Sequence, residues 1–307
     1  MKKVWPAWLF LFLGAFFLTT AGVAQFWAKD AAERTPLDSN QVTLLTGTAQ
    51  LLDPATGTTS TTPVRIANIT QVDGGLSDDD VIVFVTSTCV NRDVDDPPNC
   101  LPKSDKRMIN DTKLNFAADR RTAEAIDDPK YVTNTPPVEG LTNKWPFHNT
   151  EQSYDVWDDT SKQATPADFV GTTTVEGLKC NQYHQVITNA PIDLGNDIQG
   201  IYNLDETYTI DQVTGKIINQ EIHDVRTVKD GGDTALDLTA QYTPETISSN
   251  VDFAQDAGKQ LTLVTKTLPI VGLVAGLLCL AVGVLLLRRR RKDDTEAPAP
   301  EPQHATT

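Results

Sequence analysis

The sequence predicts a β-rich (α+β) exterior domain anchored by an N-terminal and a C-terminal transmembrane helix. Three observations predict it. Residues 268–287 (LPIVGLVAGLLCLAVGVLLL) carry no charge, and twenty residues rising about 1.5 Å each reach roughly 30 Å, the thickness of a bilayer's hydrocarbon core. Residues 4–28 form a second uncharged apolar run. Between them lie β-branched, partly alternating stretches separated by Gly-, Asp- and Pro-containing loops.

The N-terminal anchor segment, residues 1–28, opens with Lys2 and Lys3, and its apolar run is rich in Leu, Phe and Trp. It is too long for a signal-peptide core and long enough to span, so a retained anchor is expected, although Gly22 and Ala24 would permit cleavage after Ala24. Trp5, Trp8 and Trp27 suit the two membrane interfaces. The β-rich portion is expected over 29–242, with strands at 41–52, 63–72, 81–90, 207–213 and 216–228. Thr214-Gly215 marks a hairpin turn, where glycine supplies positive φ. Residues 104–134 show no clear period and are expected to be a short helix or an irregular connection.

A helix is expected over 243–267, with Thr243 as N-cap, Pro244 at the first helical position and an apolar stripe at Ile247, Val251, Ala254 and Leu261. It runs into the span at 268–287 with a bend near Pro269. Arg288, Arg289, Arg290, Arg291 and Lys292 follow at once. Such a run resists translocation, so the positive-inside bias predicts a two-pass plasma-membrane protein with both termini cytoplasmic and the central domain outside. The acidic, proline-containing remainder of 288–307 is expected to be disordered. In the C-terminal span Gly272 and Gly276 form GxxxG, and Ala275, Cys279 and Gly283 form a second small-residue row, both suited to close helix packing and to a homo-oligomer through this span.

Charge and cysteine usage bound the partners. Between residues 29 and 266, 19 Lys and Arg face 37 Asp and Glu, a surface that repels phosphate backbones, so nucleic acid is not an expected partner. Cys89 and Cys100 bracket an acidic loop with two prolines and are the first choice for an exterior disulfide; Cys180 is then left over, and pairing of Cys100 with Cys180 stays open. The acids at 78–80 and Asp93, Asp95 and Asp96 offer oxygen ligands without EF-hand spacing. His148, His184, His223 and His304 are scattered, and HExxH, G-x-S-x-G and CxxC are absent from the sequence. No enzyme, metal or cofactor is expected on that basis.

The run 147–159 (FHNTEQSYDVWDD), then Ala167-Asp168-Phe169-Val170-Gly171 and Thr174-Val175-Glu176-Gly177-Leu178-Lys179, resembles a signature of the actinobacterial porin PorA family, formerly a domain of unknown function. Residues 208–219 (YTIDQVTGKIIN) resemble a second shared block, and the two-span layout matches along nearly the whole chain. The resemblance implies a cell-wall channel. The residues read alone favour an envelope binding or structural domain that contacts membrane lipid and takes a lipid or wall component in an apolar cavity, with the channel as the alternative. A barrel porin needs lipid-facing apolar alternation, and a pore lined by the apolar spans would dewet.

Overall fold

The β-branched runs of the sequence pair into one antiparallel sheet. The computed structural model describes residues 5–53, 56–195, 197–229 and 232–295. They fall into two compact units, Arg34–Gly258 and the flanking segments Met1–Glu33 with Lys259–Thr307.

In the first unit the strands are β1 (Gln41–Asp53), β2 (Thr58–Val72), β3 (Val81–Arg92), β4 (Met108–Asp119), β5 (Ala125–Ile126), β6 (Tyr154–Asp158), β7 (Gln163–Val175), β8 (Leu178–Asp193), β9 (Gln199–Asp211), β10 (Ile217–Val228) and β11 (Thr234–Tyr242). Their order is β5-β4-β3-β2-β1-β11-β10-β9-β8-β7-β6. Two meanders are therefore joined where the first strand pairs with the last, Leu45 opposite Tyr242 and Leu51 opposite Leu236. At the far edges, the segment around Leu141 lies between β5 and β6. Ala125 N–H donates to Gly140 O at 2.9 Å, Leu141 N–H to Asp155 O at 2.8 Å and Trp157 N–H to Leu141 O at 2.8 Å. These bonds bridge the two edges, so the curled sheet closes into a barrel through this segment.

Residues 104–134, expected as helix or irregular, instead contain β4 and β5. Alternation is present in β4, but its inward positions Asn110 and Thr112 are as polar as its outward ones, so no hydrophobic period shows. The β10 alternation is also shifted, because a bulge between Ile217 and Asn219 sends Ile217, Gln220 and Ile222 to the same face.

Thr243 caps α3 (Pro244–Thr262) through Thr246 N–H to Thr243 Oγ1 at 3.2 Å. Val251 and Ala254 of its apolar stripe are buried against Ile218 and Cys180. Gly215 turns β9 into β10 at φ 72°, and a Cβ there would stand 2.0 Å from Trp145 O.

The other unit contains α1 (Trp5–Val23), a π-helical turn Ala24–Ala28, α2 (Lys29–Ala32), a π-helical turn Leu263–Thr267 and α4 (Leu268–Thr295). Pro269 has no N–H for Thr265 O and its ring crowds that carbonyl. The helix widens there, with Leu268 N–H donating to Leu263 O. The continuous helix reaches Thr295, so the residues after Lys292 begin as helix where disorder is expected; 296–307 lie outside the described residues.

Small residues bring α1 and α4 together. A Cβ on Gly272 would lie 3.0 Å from Ala21 Cβ, on Gly276 3.1 Å from Gly14 O, and on Gly283 3.2 Å from Ala7 O. Positions that rise along α4 meet positions that fall along α1, so the pair is antiparallel. Ala7, Gly14 and Ala21 recur every seven residues, the spacing of a knobs-into-holes seam. Gly272, Gly276 and Gly283 thus pack against α1 within the chain, while Ala275 and Cys279 of the second row stay half-buried.

Gly215→Ala is expected to destabilise the barrel by at least about 2 kcal/mol in urea unfolding, because it meets both an unfavourable φ and a backbone oxygen. Gly177→Ala, at φ 83° with open space around its Cβ, should cost only about 1 kcal/mol.

Candidate functional site

Strands β1 to β4, β6 and β8 to β11 surround a cavity of about 550 Å³. Its wall has two kinds of surface. On β2 to β4 the inward side chains include Asn68, Thr70, Thr86, Thr88 and Thr112. Asn68 Nδ2 donates to Thr88 Oγ1 at 3.1 Å and Thr70 Oγ1 to Asn68 Oδ1 at 3.0 Å, so part of this wall is a hydrogen-bonded ladder. On β9 and β10 the inward positions alternate as Tyr202, Leu204, Glu206, Tyr208 and Gln220, Ile222, Asp224, Arg226. In register, Tyr208 faces Gln220, Glu206 faces Ile222, and Tyr202 faces Arg226.

Glu206 is the most constrained group. It is 5% exposed; the Tyr208 hydroxyl donates to Oε2 at 2.7 Å, and Gln220 Nε2 donates to Oε1. Burial pushes its carboxyl up to about 7, against the pull of those two donors, and the acids Asp158 and Asp224 add to the rise. Asp224 is also raised by burial but holds Arg226 in a fork, Nε to Oδ1 at 3.0 Å and Nη2 to Oδ2 at 2.6 Å. The Tyr202 hydroxyl donates to Asp158 Oδ2 at 3.0 Å. Trp157 and Thr142 also line the cavity; the indole Nε1 and the hydroxyl Oγ1 are buried without a hydrogen-bond partner among the described residues.

One end of the barrel interior is filled rather than hollow. Trp145, fully buried, stacks on Tyr183 with centroids 5.6 Å apart and lies 4.8 Å from Tyr208. Leu45, Val64, Leu141 and Ile210 complete that core.

The residues singled out from sequence lie elsewhere. Cys89 and Cys100 are joined by a disulfide with Cα atoms 5.4 Å apart. Cys180 is buried beside α3, its thiol pushed up to about 12 by burial and by the neighbouring Asp211. Gly272, Gly276 and Gly283 face α1, while Ala275 and Cys279 on α4 are half-buried. Arg288 and Arg289 are exposed on α4; Lys2, Lys3 and the side chains of Arg290, Arg291 and Lys292 lie outside the described residues. Asp78 takes Lys130 Nζ at 2.7 Å, and Asp93 and Asp96 hold Arg65, so these loop acids are engaged by cations. Among the described residues no cluster of three or more His, Cys, Asp or Glu could hold a metal ion. His184 and His223 pair with Asp205 and Asp237 at 2.9 and 3.0 Å.

Both blocks that carry the family resemblance enclose structural corners. Residues 174–179 form the β7–β8 turn, with Glu176 and Gly177 at positive φ, and 208–219 form the β9–β10 hairpin that holds Tyr208. The model of one family, described as porin PorA, matches residues 6–285. The chain belongs to the porin PorA family. No curated protein matches it. Of the two functions read from the sequence, family membership favours the channel-forming, porin-like one over the binding domain.

Across the seam of this porin-family barrel, part of the outward face is polar. Thr46 and Thr48 on β1, Asp205 on β9, Glu221 and His223 on β10 and Thr239 and Gln241 on β11 all point away from the cavity and are solvent-accessible. A lipid-facing strand would present apolar side chains at those positions. Among the described residues, the helices at 5–28 and within 244–289 are long and apolar enough to cross a membrane.

Glu206→Gln should change how stability depends on pH. The folded acid, at about 7, holds its proton more tightly than the ordinary 4.5 of the unfolded chain. Wild-type stability therefore falls as pH rises from 4.5 to 7, and the Gln variant is expected to lack that fall. The difference between the two in chemical denaturation should grow across this window toward about 3 kcal/mol in favour of the variant.

Proposed function

We propose that this porin-family protein acts in transport across the cell envelope, and that the part that receives the solute is the polar interior of the barrel. Family membership over nearly the whole chain is the observation that carries the reading, and the Thr and Asn wall of the cavity supports it. The helix pair offers little to a polar solute. Its uncharged polar groups include Thr19 and Thr20, whose hydroxyls bond back to Ala15 O at 2.8 Å and Phe16 O at 2.9 Å. A path lined by such helices alone would dewet.

In this reading the helices hold the protein in the membrane. The antiparallel pair brings the Trp5 end of α1 and the Arg288 end of α4 to the same side, and cations flank both. Both termini are then cytoplasmic and the barrel is outside. A second reading, a binding domain that retains a lipid or wall component, is favoured by the packed aromatic end around Trp145, which narrows the cavity to a pocket.

Proteoliposomes carrying the full-length protein are expected to pass small polar solutes faster than empty ones, with Thr88→Leu/Thr112→Leu slowing flux severalfold at unchanged insertion. No flux above empty liposomes, together with a co-purifying ligand in native mass spectrometry, would establish the second reading instead. In spheroplasts, tags at either terminus should resist protease while the barrel is cut; digestion of the N-terminal tag would refute the topology.

A further inference from the structure

The charged side chains on the cavity wall do not balance. Five acids, Asp158, Asp159, Asp193, Glu206 and Asp224, face two cations, Lys162 and Arg226. Both cations are already engaged: Lys162 Nζ lies 2.6 Å from Asp159 Oδ1, and Arg226 holds Asp224. Glu206 and Asp158 receive hydrogen bonds from neutral groups instead, Glu206 from Tyr208 and Gln220, Asp158 from Tyr202 and Ser161. A carboxylate offers about four acceptor sites, so each retains capacity. A buried carboxylate without a cation is costly, and a cation brought in by a ligand would offset that cost.

A second, independent feature asks for an oxygen. Trp157 is 7% exposed and lines the same cavity, yet its indole N–H has no acceptor among the described residues. Buried indole N–H groups ordinarily find a partner. The Thr142 hydroxyl on the same wall is in the same condition. The rings of Tyr202, Tyr208 and Tyr242 complete the surroundings of Glu206, and aromatic faces attract ammonium groups.

We propose that the cavity is a site for an amine-bearing polyol, with the Glu206 carboxylate as counter-ion to the ammonium and the Trp157 indole N–H as donor to one of the ligand's oxygens. This rests on the reading that the barrel interior receives the solute, and it names the solute's chemistry. Binding is linked to protonation. Glu206 is faced by Asp158 from β6, by Tyr202 and Tyr208 from its own strand, by Asp224 and Arg226 from β10 and by Tyr242 from β11. Burial moves these tyrosines further up, so they stay neutral, and Arg226 is committed to Asp224. Below about 7 Glu206 carries a proton that an arriving ammonium must displace.

The test is calorimetric titration of the full-length protein in detergent with N-methylglucamine, a polyol that keeps its charge across the range, and with sorbitol as the neutral control. N-methylglucamine should bind at least tenfold more tightly above neutrality than one and a half units below it, releasing close to one proton in the acidic range. Sorbitol should bind at least tenfold more weakly at the higher pH. Glu206→Gln should abolish both the preference and the proton release. Trp157→Phe should weaken binding severalfold while leaving the pH dependence in place, which serves as the check should Glu206→Gln not fold. Equal affinity for the two polyols, or unchanged binding in Glu206→Gln, would overturn the proposal. Amine binding without liposome flux would uphold this site and remove the transport reading; flux with no amine preference would do the reverse.

Discussion

The pairing of β1 with β11 is the constraint on which the barrel depends. Every other neighbour in the sheet lies next in sequence, whereas this seam pairs the first strand with the last, Leu45 with Tyr242. Loop-closure entropy grows only slowly with length, so the cost of that long-range contact is modest once the local hairpins have formed. The strands approach closely enough that a Cβ at Gly47 would sit 2.0 Å from Thr239 O. The seam also sets where the chain leaves the barrel. The start of β1 and the end of β11 are neighbours, so segments from opposite ends of the sequence begin from adjacent points.

The helix pair solves a different problem with different residues. In lipid no hydrophobic force drives two apolar helices together, so contact has to come from close packing. Ala7, Gly14 and Ala21 on one helix and Gly272, Gly276 and Gly283 on the other remove the side chains that would hold the backbones apart. The sequence displayed the small rows on the C-terminal helix plainly. It did not display their occupant, because a glycine row fits a second copy of itself as well as a neighbour elsewhere in the chain. The complementary row in α1 carries the decisive information, and it is diluted there by the Phe and Leu between its members.

The same contrast runs through the barrel. Strands with apolar inward side chains, such as β3 with Ile82 and Phe84, were legible as β-branched apolar runs. In β4 the wall of the cavity is polar, and a strand that is polar on both faces has no period for a hydrophobicity argument to find. Strand β6 is short, and β7 and β8 drew notice through their resemblance to a family rather than through their pattern. The candidate site was missed for this reason. Glu206 sits in NLDETY, where Asp205 and Glu206 look like a solvated pair; only the registration of β9 against β10 shows that Asp205 faces out and Glu206 faces in. The available signal was the alternation of Tyr202, Leu204, Glu206 and Tyr208, one acid within a row of large, mostly aromatic side chains.

A barrel interior made for stability alone would place an apolar residue at that position. Its cross-strand neighbour is Ile222, and Leu204 lies two residues before it on the same face. At the filled end of the barrel Leu141 and Ile210 pack around Trp145 as that rule asks, although the Trp145 indole N–H is itself buried without a partner among the described residues. At the hollow end it departs from the rule several times within a few strands, with a buried acid raised toward neutrality, a second acid held by an arginine fork and an indole N–H without an acceptor. Sequences are consistent across levels where nothing but folding is asked of them, and local violations that persist mark places where another demand is met. Strongly shifted acids in a cavity are one form of that mark. The raised acid and the arginine fork stand at the hollow end beside the wall of Thr and Asn, whereas an unpartnered indole N–H occurs at both ends, so it is the carboxylates that distinguish the cavity from the packed core.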